Sequence, residues 1–230
     1  MSLAPDLDIF SLGREAQDKA RAAFDGRAFF TPAKRLCGDG SWSGPAEATC
    51  CLVDEDALHA RGGLGPVRAT GGNALICDLD GALAGEAVAQ GFRVLVRVPF
   101  AAGEPADERA RRMRRLAAVL AATPGIDGVL PVPVGEAQGL DTLTFFASCR
   151  QVCDKAHVVV DLECFGHKLG QLCLSFGADE ILGPIAAQRA LRLGARASSN
   201  EITRDEAALL LRAAGFAPCE RLPDGKVLPL

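Results

Sequence analysis

The sequence lacks the features that assign whole classes of protein from composition alone. Its formal net charge is only −4 over 230 residues, so the basic surface of a nucleic-acid-binding protein is missing. No apolar run approaches the roughly 20 residues that a membrane-spanning helix needs. The N-terminal segment MSLAPDLDIFSLGRE has no basic stretch followed by an apolar one, as a signal peptide would. We therefore predict a cytoplasmic protein that has neither nucleic acid nor a membrane as its partner.

Familiar catalytic and metal-binding motifs are also missing. The sequence contains no G-x-S-x-G, no P-loop and no H-E-x-x-H. Its nine cysteines are an odd number and are scattered, several of them within apolar segments, which is typical of free thiols in a reducing compartment. Cys149 and Cys153 form the only C-x-x-x-C pair, and it falls on a predicted helix. We predict that both are buried thiols rather than ligands.

What the sequence does contain is an alternation of short apolar strands and amphipathic helices between Gly128 and Pro184. The predicted strands are GVLPVPV, AHVVVDL and EILG, with helices between them. This alternation is typical of βα units on a parallel sheet. Upstream, NALICDL and FRVLVRVPF are predicted strands, the second ending at Pro99, and residues 48–54 are a candidate first strand.

These elements predict one α/β domain over residues 1–230. We expect a parallel βα barrel of the TIM type, partial or small, with about six strands. Residues 1–47 are predicted to form an N-terminal helix and loop, with GRAFFTPAKRL between them as a candidate short strand. Residues 195–230 are predicted to form a C-terminal helix and tail. Thr203 and Glu206 have the spacing of a capping box at the start of that helix, and Gly215 is placed to end it.

Two sequence patterns carry a resemblance to a known family. The first is G-x-K-x-x-Q-x-x-L-x-F-G-A-D-E, formed by Gly166, Lys168, Gln171, Leu174, Phe176, Gly177, Ala178, Asp179 and Glu180. The second is formed by Thr203, Asp205, Glu206, Ala214, Gly215, Phe216, Pro218 and Arg221. Together with the opening SLGREAQDKARAAFDGRAFF, they resemble the radical SAM enzymes that build menaquinone through futalosine. Aminofutalosine synthase is the nearest in pattern, with dehypoxanthine futalosine cyclase and the FO synthase subunits as cousins.

The sequence departs from that family at its cofactor site. The family holds a [4Fe–4S] cluster on a C-x-x-x-C-x-x-C loop after the first strand, where three thiolates leave one iron open for SAM. Here Cys37 stands alone before GDGSWSG, and Cys50 and Cys51 are adjacent. The resemblance therefore implies a radical-SAM-like protein without a cofactor. Such a non-catalytic paralogue would bind a small molecule, or would pair with a full-length radical SAM enzyme or with itself.

Polar residues follow the predicted strands at their C-terminal ends, where βα barrels carry their chemistry. Asp78 follows NALICDL, Arg97 lies near the end of FRVLVRVPF, and Glu136 follows GVLPVPV. Because its planar fork binds carboxylates bidentately, Arg97 is the predicted anchor for a carboxylate-bearing ligand of the futalosine type. Trp42, in the CGDGSWSG loop, is the large aromatic residue available as a lid.

Asp161, Glu163 and His167 support an alternative of a different class. Asp161 and Glu163 are predicted at the C-terminal end of the strand AHVVVDL, where they would point the same way, and His167 at the start of the following helix. Two carboxylates and an imidazole suit a divalent metal or general acid–base catalysis. The alternative is thus a small βα-barrel enzyme with hydrolase or lyase chemistry. A solvated loop after the strand explains the same residues without any chemistry.

Overall fold

The computed structural model describes residues 8–136, 139–187, 201–222 and 225–230. The helices are α1 (Ile9–Ala23), α2 (Glu55–Ala60), α3 (Leu64–Ala69), α4 (Ala84–Ala89), α5 (Ala106–Ala122), α6 (Gly139–Val152), α7 (Leu162–Leu174) and α8 (Arg204–Ala213). The strands are β1 (Arg27–Leu36), β2 (Trp42–Ser43), β3 (Cys50–Asp54), β4 (Ala74–Cys77), β5 (Arg93–Ala101), β6 (Gly128–Val134), β7 (His157–Asp161), β8 (Glu180–Gly183), β9 (Ile185–Ala186), β10 (Ile202–Thr203), β11 (Ala217–Arg221) and β12 (Val227–Pro229).

Seven of these strands form a closed parallel barrel. Neighbours follow chain order from β3 to β8, and β8 returns to β1 with Phe29 opposite Glu180. The other edge of β1 is shared, because its first half pairs with β11 and its second half with β3. The predicted parallel TIM-type barrel is therefore confirmed, with seven strands in place of about six.

The additional strand is β1, which lies in GRAFFTPAKRL, the segment that we predicted as at most a short strand and did not count as a strand of the barrel. Its apolar residues are interrupted by Pro32 and by the basic pair Lys34 and Arg35, so the sequence lacks the regular alternation that predicts a strand. The candidate first strand at residues 48–54 is β3, the neighbour of β1. The described part of residues 195–230 likewise contains three strands, β10, β11 and β12, in addition to the expected helix.

Pro99 does not end β5, as we had expected, because the strand continues to Ala101. β4 pairs only with Arg93–Val96, so the part of β5 that contains Pro99 pairs with β6 alone among the described strands. A strand with one open edge tolerates the missing N–H of proline, whereas a strand paired on both sides does not.

The interior of the barrel is divided into three layers by the alternation of side chains along the strands. On β5, the inward positions are Arg93, Leu95 and Arg97, while Val94 and Val96 pack against the outer helices. The middle layer is apolar and consists of Ala33, Leu52, Ile76, Leu95, Leu130, Val159 and Leu182. Polar side chains therefore occupy both ends of the barrel, separated by this apolar layer.

The predicted signals of the C-terminal helix are confirmed. Thr203 Oγ1 accepts a hydrogen bond from the backbone N–H of Glu206 at 3.2 Å, and Glu206 Oε2 accepts one from the N–H of Thr203 at 2.8 Å. Gly215 adopts a φ of 80°, just beyond the end of α8. Within the described ranges, no helix combines the length and the apolar character that crossing a bilayer requires.

Candidate functional site

The C-terminal mouth, as we call the rim formed where the parallel strands end, contains the predicted Asp78 and Arg97. Arg97 donates from Nε to Asp78 Oδ1 at 2.8 Å, and its Nη2 lies 2.6 Å from the same oxygen. Burial alone would lower the pKa of Arg97, but the hydrogen bond and charge of Asp78 raise it above its ordinary value. Arg97 is thus an ion-paired cation at the mouth, one-third exposed.

A second arginine at the mouth was missed by the sequence analysis. Arg35, near the end of β1, donates from Nε to Glu163 Oε2 at 2.6 Å and contacts Asp161 through Nη2. Asp161 is buried and also accepts a hydrogen bond from the backbone N–H of Glu163, which caps α7. Because β1 was not predicted as a barrel strand, nothing in the sequence pointed Arg35 toward these carboxylates.

The acid–base trio of the alternative hypothesis does not converge. Asp161 ends β7 and Glu163 lies in the first turn of α7, so the two are not on one strand as we had expected. His167 is exposed beyond the kink at Gly166. Among the described residues, no hydrogen bond or ion pair joins His167 to either carboxylate. This geometry favours a structural role for the carboxylates, which hold Arg35 and cap α7.

The two remaining predicted residues lie apart from this arrangement. Glu136 is exposed just beyond β6. Trp42 lies in β2, which pairs antiparallel with β1, and its ring packs against the outer cluster that includes Leu36 and Val53. Lys34 Nζ lies over this ring, 5.3 Å from its centroid. Trp42 therefore covers the outside of the barrel and not its mouth.

The cysteines do not fit the [4Fe–4S] cluster that the resemblance implies. Cys37 follows β1 and is the sole thiol before β3 begins. Burial raises the pKa of Cys50 to about 11 and that of Cys153 to about 12, and it raises the pKa of Cys149 well above the usual value. Cys149 and Cys153 are buried, as predicted. In the described part of the chain, no three His, Cys, Asp or Glu side chains gather into a group able to hold a metal ion.

The opposite, N-terminal end of the barrel contains a network of charged side chains that the sequence analysis also missed. Arg93 donates to Asp127 Oδ2 and to Glu180 Oε2, both at 2.7 Å. Arg221 donates to Asp127 Oδ1 at 2.9 Å, and Thr31 Oγ1 donates to Glu180 at 2.5 Å. Burial alone would raise the pKa of Asp127, but the two guanidinium groups outweigh it and hold this pKa at about 2.

The network continues into the motif that carries the family resemblance. Asp179 is fully buried, accepts from the backbone N–H of Val158 at 2.8 Å, and contacts both Arg150 and His157. Gly177 has a φ of 95°, and a Cβ added there would lie 2.6 Å from the Cβ of Arg150. The F-G-A-D-E part of the motif is therefore explained by packing at the N-terminal end, far from the C-terminal mouth.

The chain is similar to solved protein structures but matches no family model and no curated sequence. No protein-family model matches the chain, and a search of curated sequences finds no match either. The crystal structure of methylornithine synthase (PylB) is similar, with a TM-score of 0.62 and 13% identity over 94% of this chain and 90% of that one. HydG, a maturase of the [FeFe]-hydrogenase, has a TM-score of 0.58 and 9% identity over 93% and 70%.

Both solved structures are radical SAM enzymes, so the chain has a radical SAM-like fold. Identities this low show the fold alone. This part of the resemblance is confirmed, while its narrower attribution to the futalosine enzymes stays a prediction.

Proposed function

We propose that this protein uses the radical SAM fold without a [4Fe–4S] cluster, as a binding protein and not as a radical enzyme. One observation carries the proposal. The connection between β1 and β3 holds a single thiol, Cys37, and its strand β2 folds back antiparallel onto the end of β1. A cluster that leaves one iron open for SAM needs three thiolates on such a loop.

The proposed ligand is a small molecule with a carboxylate, bound at the C-terminal mouth. Arg35 on β1 and Arg97 on β5 are three strands apart in the seven-stranded ring, so they face each other across the mouth. Arg97 directs Nε and Nη2 toward one oxygen of Asp78, and its Nη1 makes no hydrogen bond within the described residues. Its outer edge can therefore accept a ligand carboxylate beside Asp78.

The patterns around Gly166–Glu180 and Thr203–Arg221 support a finer version of this proposal. A chain that descends from the futalosine enzymes and lacks their cluster would bind a related intermediate of menaquinone synthesis. It would do so alone, as a self-associated pair, or beside a full-length radical SAM enzyme that performs the chemistry.

Anaerobic reconstitution with iron and sulfide tests the absence of the cluster. We expect neither stoichiometric iron nor absorbance of a [4Fe–4S] cluster, and no reductive cleavage of SAM. The Cys37→Ala variant is the matched control, because traces of non-specific iron should be the same in both proteins. A stoichiometric cluster that disappears in Cys37→Ala would refute the proposal.

The ligand site is tested by titration with futalosine, which provides a carboxylate. Arg97→Ala should weaken binding by roughly 1.5–3 kcal/mol, the range for hydrogen bonds to charged groups. Arg114→Ala removes an equal charge from the exposed face of α5 and should leave the affinity unchanged. Equal losses in the two variants would mean that Arg97 is not the anchor.

A further inference from the structure

The N-terminal end of the barrel opens into a cavity of about 460 Å³, which we call the N-terminal cavity. It lies outside the proposed ligand site, because the apolar middle layer of the barrel separates the two ends. Its lining comes from α3, from the loops before β3, β4, β5 and β6, and from the end of β11. Among the lining residues are Arg68, Phe92, Arg93, Asp127 and Arg221.

Three arginines line this cavity, and two of them are fixed by the carboxylates of Asp127 and Glu180. Arg93 and Arg221 share Asp127 and Glu180, so these four charges balance one another. Sharing the acids holds both guanidinium groups in defined positions. Two cations are thus immobilised at the inner wall of the cavity before any ligand arrives.

The third arginine, Arg68, has no carboxylate among the described residues to neutralise its charge. Arg68 donates through Nη2 to the backbone oxygen of Gln90, and its guanidinium lies over the ring of Phe92, 4.6 Å from the centroid. Within the described ranges, no carboxylate forms an ion pair with Arg68. The carbonyl and the ring orient this cation but do not neutralise it, so the lining carries an excess positive charge.

From the three arginines and the volume, we infer that the N-terminal cavity binds a small organic anion that carries a carboxylate or a phosphate. The volume lies within the roughly 300–1,000 Å³ of small-molecule sites. Guanidinium groups held in place present planar donors that match the oxygens of both anions. The site differs from the proposed ligand site in location and residues, so each stands without the other.

The first test maps binding directly on ¹⁵N-labelled protein, with inorganic phosphate and citrate titrated separately. We expect amide shifts at the cavity glycines Gly91, Gly125 and Gly225, and none at Gly135 and Gly183 at the C-terminal mouth. Shifts with phosphate alone identify a phosphate site, and shifts with citrate alone a carboxylate site. No saturable shift with either probe, or shifts confined to the mouth glycines, would overturn the inference.

The second test measures the affinity of the active probe by calorimetry. Arg68→Gln should weaken binding at least roughly tenfold, the effect of losing one charged hydrogen-bond donor. Because Arg68 is exposed and outside the buried network, the variant should keep the thermal unfolding of the parent protein. Arg114→Gln, which makes the same charge change on α5, is the control. Equal affinities in Arg68→Gln and Arg114→Gln would contradict the assignment.

Discussion

Replacing Asp127 by asparagine is the most direct test of the charged network at the N-terminal end of the barrel. The pKa of Asp127 lies at about 2 instead of 3.8. At about 1.4 kcal/mol per pH unit, this difference corresponds to roughly 2.5 kcal/mol of stability at neutral pH. Breaking one partner of a buried ion pair typically costs about 3–5 kcal/mol. Since Asp127 is one-quarter exposed, we expect Asp127→Asn to lower the free energy of unfolding by about 2–4 kcal/mol.

The pH dependence of this loss follows from the direction of the pKa. A carboxyl group whose pKa is lowered by folding contributes its full stability above its unfolded pKa, near 4, and loses it as the pH falls toward 2. The difference in unfolding free energy between the parent protein and Asp127→Asn should therefore be constant from pH 7 to about pH 5. It should then shrink steadily between about pH 4 and pH 2.

Urea unfolding, followed by circular dichroism at a series of pH values, measures both quantities. Asp107→Asn is the matched control, because Asp107 is exposed on α5 and pairs with Arg111 at 3.6 Å. Exposed helix pairs contribute only about 0.3–0.5 kcal/mol. A loss at neutral pH no larger in Asp127→Asn than in this control, or a loss that does not change down to pH 2, would refute the reasoning.

Three further predictions concern other parts of the chain. Thr203→Ala should lower the unfolding free energy by about 1 kcal/mol, because it removes the capping box of α8; chemical denaturation will show whether it does. Gly177→Ala should lower the free energy of unfolding more than Gly62→Ala does. Both glycines have a positive φ, but only at position 177 would the added Cβ also collide with Arg150. Equal decreases in the free energy of unfolding would contradict this. Burial, and then the nearby Asp161, raise the pKa of the Cys164 thiol to about 12. Its alkylation, followed by mass spectrometry, should be slow at pH 7.5 and rise about tenfold per pH unit toward pH 11.

The parts of the fold that the sequence predicted well are those set by local periodicity. The βα alternation between Gly128 and Pro184 appears as β6, α6, β7, α7 and β8, and the capping box at Thr203 and Glu206 begins α8. In these segments the apolar spacing, the caps and the terminating glycines all indicate the same structure. β1 was predicted only as a possible short strand, because Pro32 and the basic residues after it interrupt the alternation that marks a longer one.

The ion pairs of the two charged networks could not be predicted from the sequence, for a different reason. Alternation along β5 places Arg93 and Arg97 on one face, but it does not say which side chains face them across the barrel. Glu180, the partner of Arg93, comes from β8, and Arg35 on β1 reaches Asp161 on β7 past the strand β8 that lies between them. Such pairings depend on strand order and closure, which local patterns do not encode.

The division of the β1 edge between β11 and β3 has a consequence for how the chain folds. β1 is made early in synthesis, yet its pairings with β8 and β11 join residues more than roughly 150 positions apart. Compared with the contact between β1 and β3, closing such a loop costs about 2 kcal/mol more in chain entropy. The edge of β1 that pairs with β8 therefore stays unpaired until β8 has been synthesised, and the pairing with β11 forms later still. We expect barrel closure to be the late and slow step of folding.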